Sequence, residues 1–127
     1  MLSARPFFIS DDDPNSISAK ATGVGPLVVS TQIPTRPDGT VELGGITEQS
    51  DCVLRSLKAA LEQAGSSLDR VFHLTIYLTD IADRPEFNEV YKAYFKRPFP
   101  SRCTVGISAF AREGMRVEVT AMAARGE

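Results

Sequence analysis

Between Ile46 and Gly65 the apolar residues fall on a helical stripe, while on either side of that segment they alternate or run together, so the chain has to join helix to sheet. Val53, Leu57, Ala60, Leu61 and Ala64 recur at helical spacing, and Arg55, Lys58 and Glu62 lie off the stripe. Thr47 is positioned to cap this helix, and Glu48 and Asp51 place negative charge in its first turns, where the macrodipole favours it. Gly65 supplies the left-handed stop. Ahead of the helix, Arg5 to Ser10 reads as a short strand, with Pro6 suiting an edge. After the polar turn Asp11-Asp12-Asp13-Pro14-Asn15, alternation predicts a second strand over Ser16 to Thr22. Gly23 to Pro26 reads as a turn. Leu27 to Ile33 is β-branched and almost continuously apolar, which predicts a central strand buried on both faces. Pro37-Asp38-Gly39-Thr40 is a further turn, because proline presets φ and glycine accepts positive φ.

Beyond Gly65 the pattern repeats in shorter form. Val71 to Thr79 alternates, placing Phe72, Leu74, Ile76 and Leu78 on a face under the helices and Val71, His73, Thr75 and Tyr77 on the other. That second face is mixed but uncharged, as expected of a sheet covered by another subunit. His73 there is read as a hydrogen-bonded packing residue, since no acid partner accompanies it. Asp83-Arg84-Pro85-Glu86 opens a second helix with an Asp cap, an early proline and a capping-box glutamate, and Phe87, Val90, Tyr91 and Tyr94 form its buried stripe. Then Phe99-Pro100-Ser101-Arg102-Cys103-Thr104-Val105-Gly106 puts an arginine at a strand mouth. Alternation sets Arg102 and Thr104 on one face and Cys103, Val105 and Ile107 on an opposite, apolar one, so Cys103 is expected to be buried and no nucleophile. A guanidinium held this way can grip a carboxylate through two parallel hydrogen bonds. The last strand, Met115 to Ala124, sets Val117, Val119, Ala121 and Ala123 against Glu118, Thr120 and Met122. Two helices on one face of a mixed sheet make an α+β sandwich, one domain over residues 1–127.

Composition narrows the function. The 127 residues are 43% hydrophobic with net charge −2 and no Lys/Arg run, which speaks against a nucleic-acid partner. No apolar stretch approaches the roughly 20 residues of a membrane span. Met1 to Ile9 lacks the pattern of a secretory leader. Cys52 and Cys103 match no disulfide framework or metal spacing, so a reduced, cytoplasmic protein is expected, and with one histidine there are too few soft ligands for a zinc site.

Val28-Val29-Ser30-Thr31-Gln32-Ile33-Pro34, Thr75-Ile76-Tyr77-Leu78-Thr79-Asp80, Asn88-Glu89-Val90-Tyr91, Pro100-Ser101-Arg102 and Val117-Glu118-Val119 resemble, in order and spacing, the RidA/YjgF reactive-intermediate deaminases. The resemblance runs from about Pro26 to the C-terminus, and Pro-Ser-Arg is its most specific element. It implies a chorismate-mutase-like fold and a homotrimer with inward-facing sheets. It also implies clefts between subunits where Arg102 binds a substrate carboxylate, helped by backbone amides near Thr31 and Thr104. Ser30, Cys103 and Ile17 are the further candidates for substrate binding. The implied reaction is hydrolysis of 2-imino or 2-enamino acids to 2-keto acids and ammonia, without a cofactor. Two positions depart from the family. Thr120 stands where deaminating members usually carry a glutamate that orients the water, and Ile17 falls near a usual aromatic. Threonine cannot take a proton at neutral pH, although its hydroxyl can hold a water, and Glu118, roughly 7 Å along the same strand face, is the candidate substitute. Two alternatives stand beside the deaminase: a trimer that binds small carboxylates without turnover, and a deaminase for a larger, pathway-specific acid.

Overall fold

In the computed structural model, which describes residues 5–126, the apolar stripe from Ile46 folds as α1 (Ile46–Gln63) and the second as α2 (Arg84–Tyr94). Six strands accompany them: β1 (Phe7–Ile9), β2 (Ala21–Val24), β3 (Leu27–Gln32), β4 (Val71–Leu78), β5 (Ser101–Gly106) and β6 (Val117–Ala124). They form one sheet in the order β1-β2-β3-β6-β4-β5. Every neighbouring pair is antiparallel except β4 and β5, which α2 connects as a parallel crossover. Both helices cover the same face. Val53, Leu54, Leu57 and Leu61 of α1 and Phe87 and Tyr91 of α2 pack on Val28, Leu74, Ile76, Leu78, Val117, Val119, Ala121 and Ala123. The expected α+β sandwich is the observed one. No described helix is long and apolar enough to cross a membrane. The segment read for a leader lies partly outside the described residues, which begin at Arg5.

Several local expectations are corrected. The second strand begins at Ala21, not at Ser16. The preceding polar side chains take the backbone instead: Asp13 and Asn15 amides donate to Asp11 and Asp13 carboxylates, and the Ser18 amide to the Ser16 hydroxyl. Gly23 and Val24 belong to β2, and the turn is Gly25-Pro26 alone, with Gly25 at φ 57°. A Cβ at Gly23 would fall 2.3 Å from the Phe7 ring, so this strand position requires glycine. The β3 strand is buried on one face only: Val28 and Ser30 are covered, while Leu27, Val29 and Thr31 are exposed within the single chain. In β4 a bulge at Phe72 shifts the ladder, so that Val71 enters the core and Phe72 turns out.

The helix caps differ as well. Thr47 lies inside the first turn of α1, whose cap is Gly45, and its hydroxyl donates to Glu86 of α2. Asp83 does not cap α2 with its side chain. It is buried and accepts three hydrogen bonds from the Arg116 guanidinium at the entry to β6. The stop at Gly65 is as expected, at φ 81°.

Candidate functional site

Arg102 occupies β5, an edge strand, opposite Leu74 of β4 in the ladder. Leu74 is a core residue, so the shared parity sends Arg102 toward the helices. Cys103, paired with Thr75, emerges on the bare face. The expectation that Cys103 is buried is therefore reversed: the arginine has the covered face, and Cys103 and Val105 are exposed. What settles the parity is α2, which returns over the face that Leu74 presents.

The α2 helix holds the guanidinium from two sides. Asn88 accepts a hydrogen bond from Nη2 of Arg102. One helical turn on, the Tyr91 ring lies beneath the guanidinium, 4.5 Å from carbon to ring centroid. Asn88 and Tyr91 are three residues apart and share a helix face, so this pair was open to recognition from spacing. It was missed because Tyr91 also reads as core. Tyr91 is itself fixed by Phe95, stacked at 4.6 Å. Burial raises the Tyr91 hydroxyl above its ordinary pKa, with the Arg102 charge pulling the other way. Arg102 is only partly exposed, and among the described residues no carboxylate forms a salt bridge with it. Its Nη1 is buried without a hydrogen-bond partner. A buried charged donor without a partner is costly, and a carboxylate is the group whose two oxygens complement a guanidinium.

A groove of about 540 Å³ opens beside the arginine, between α2 and the Phe99-Pro100 segment. Thr104 follows Arg102 on the same strand face, two residues on. The remaining candidates stand elsewhere in the chain. Ser30 is on the helix-covered face of β3, separated from β5 by two strands, and its hydroxyl is engaged with the Lys20 carbonyl at 2.7 Å and the Gln32 amide at 3.0 Å. Thr31 and Thr120 face one another on the bare side, with hydroxyl oxygens 2.8 Å apart. Glu118 lies on that side too, its carboxyl raised by burial above the ordinary range. Ile17 is fully exposed in the β1–β2 loop, at the edge opposite β5. One chain thus brings Arg102, Asn88 and Tyr91 together at the groove, sets Thr104 further along the same strand face, and leaves Ile17, Ser30, Thr31, Cys103, Glu118 and Thr120 apart from them. His73 is hydrogen-bonded to Ser101 through Nδ1 at 2.7 Å, which suits its packing role.

A six-stranded sheet with both helices on one face and a basic groove at its parallel edge defines the class: an α+β sandwich whose second sheet face is bare. The chain belongs to the YjgF/RidA family, since the family described as "Endoribonuclease L-PSP" matches residues 16–125. It is 38% identical over 127 residues to Protein DfrA of Myxococcus xanthus, covering 94% of this chain and 95% of that one. It is 34% identical over 121 residues to the human 2-iminobutanoate/2-iminopropanoate deaminase, covering 86% and 88%. The crystal structure of RidA from an Antarctic Psychrobacter superposes with a TM-score of 0.84 at 29% identity, over 93% of this chain and 98% of that one.

Proposed function

We propose that this protein hydrolyses 2-imino and 2-enamino acids to 2-keto acids and ammonia, with Arg102 holding the substrate carboxylate. One observation carries the reading: a partly buried guanidinium, oriented by Asn88 and Tyr91, has no carboxylate partner among the described residues and borders an open groove. The similarity to the human imine deaminase supports it. The imine is already electrophilic at C2. Water adds there, the addition product expels ammonia, and a carbonyl remains. The protein has to orient the acid and place the water, which is the part of the barrier that fixed geometry removes.

The water-placing groups come from a second copy in this proposal. Thr120 and Ile17 cannot share a cleft with Arg102 inside one chain, given their opposite face and opposite edge. The bare sheet face, with Val29, Phe72, Val105 and Met122 exposed, is the surface on which copies meet, and a homotrimer closes it. A small carboxylate metabolite is the only further partner proposed. The acidic net charge does not favour RNA, although the family description names an endoribonuclease.

Ammonia release from enzymatically generated 2-aminoacrylate tests the reaction. Wild type should accelerate it, and Arg102→Ala should lose at least about a hundredfold in kcat/KM, the equivalent of one charge-assisted bidentate contact. Release at the uncatalysed rate by both proteins overturns the reading. A second reading, binding without turnover, is favoured by Thr120, whose hydroxyl cannot act as a base. Saturable binding of 2-keto acids that Arg102→Ala abolishes, with no ammonia released, would establish it.

A further inference from the structure

We infer that the Arg102 groove selects acids whose side chain is apolar and bulky, branched aliphatic or aromatic, over the shortest members of the 2-imino acid class. The inference rests on the carboxylate-binding role of Arg102 proposed above and concerns what lies beyond it. As a single chain presents it, before a second copy adds its wall, the groove offers about 540 Å³, room beyond what a three-carbon acid fills. Its wall away from the arginine is made by Pro85 of α2 and by Phe99 and Pro100, with the Tyr91 ring continuing the surface inward. Phe99 is 43% exposed, tilted at 31° to Tyr91 with centroids 6.0 Å apart and with the Arg97 guanidinium 5.5 Å from its ring centre, so the ring surface that these neighbours leave free is available to a ligand. The two charged residues at the rim, Glu89 and Lys92, are bonded to one another at 2.7 Å. They offer a substrate tail no unmatched charge. What remains among the lining residues is the Arg102 cation at one end and apolar surface beyond it, with Arg97 on Phe99 outside the lining, an arrangement complementary to a carboxylate followed by a hydrocarbon. The other large groove, between the Asp11–Asp13 turn and α1, has the reverse character. There Lys20 pairs with Asp12, Arg36 with Glu42 and Arg55 with Asp51, so its cations are matched and the carboxylates of Asp11, Asp13 and Asp38 leave it acidic, unsuited to an anionic ligand.

With the carboxylate on Arg102, the reacting C2 sits next to the guanidinium and the side chain extends over Phe99. Each methylene placed against that wall leaves water and tightens binding roughly fourfold. Phe99 is on this account a specificity-determining residue for the proposed reaction.

Calorimetric titration of pyruvate, 4-methyl-2-oxopentanoate and phenylpyruvate, the keto products of short, branched and aromatic imino acids, tests this on the full-length protein. Phenylpyruvate and the branched acid should bind at least about tenfold tighter than pyruvate. In Phe99→Ala that ratio should fall to within about threefold, while Phe99→Leu, which keeps apolar bulk, should retain it for the branched acid. If all three acids bind with equal affinity, or if the ratio survives in Phe99→Ala, the selectivity is refuted and the Arg102 reading stands. If no acid binds, or if Arg102→Ala binds all three as wild type does, the Arg102 reading falls and the selectivity with it.

Discussion

Glu118 stands on the bare face of the sheet opposite Tyr77, and its partial burial raises the carboxyl above its ordinary range. A carboxyl raised in the folded state binds its proton more tightly there than in the unfolded chain, so its ionisation opposes folding. That penalty is complete above the folded pKa and vanishes below the unfolded one. Glu118→Gln should therefore raise the melting temperature at neutral pH, and the difference from wild type should disappear as the pH falls below the usual carboxylate range. Equal melting temperatures at both pH values would show that the carboxyl is solvated in the protein. At this same scale the identity of Arg102 was readable from the Pro-Ser-Arg segment, but its direction was not. Strand parity gives two faces and does not say which one is covered. Counting apolar residues favoured Cys103, Val105 and Ile107 for the interior. The α2 helix instead covers the face shared with Leu74, which buries the arginine stem and exposes the thiol.

Elements were legible wherever periodicity was long, and their joins were not. The α1 and α2 stripes, β4 and β6 each announce themselves by repeated apolar spacing. The bulge at Phe72 leaves no comparable mark, because one extra residue in a strand looks like continued alternation. Asp83 shows the same difficulty at a helix start. It has the sequence of a cap, yet Arg116, thirty-three residues later, takes its carboxylate. This pair ties the start of α2 to the start of β6, and Gln49 of α1 completes the join by accepting from the Arg116 amide at 2.7 Å and donating to the Gly114 carbonyl at 2.8 Å. Asp83 is the buried member, its side chain 8% exposed against 41% for Arg116. Removing the arginine strands a buried carboxylate, while the partner's exposure moderates the loss. Arg116→Ala should lower unfolding stability by about 2 kcal/mol in urea titrations. A loss below about 0.5 kcal/mol, the size of an ordinary surface change, would mean the pair is solvent-screened rather than structural.

For the whole molecule the decisive feature is that only one sheet face is covered in a single chain. Leu27, Val29, Phe72, Val105 and Met122 are more than a third exposed on the other, around the hydroxyls of Thr31, Thr75 and Thr120. The proposed trimer predicts sedimentation at three times the protomer mass. Val29→Lys, which sets an unmatched charge in that face, should shift the protein toward monomer at micromolar concentration. Loss of trimer should be accompanied by loss of ammonia release, since Arg102 and Thr120 then belong to separate molecules. A monomeric wild type that still releases ammonia would sink the shared-cleft proposal. The sequence by itself determined the α+β class, the helix positions and the family, and singled out the arginine on which the proposed site is built, because apolar period and short motifs are local properties of the chain. Only the tertiary structure decided which face Arg102 takes, that Asn88 and Tyr91 hold it, and that Ser30 and Thr120 lie apart from it. These depend on which strands become neighbours and where α2 lands, and residues far apart in the chain set both.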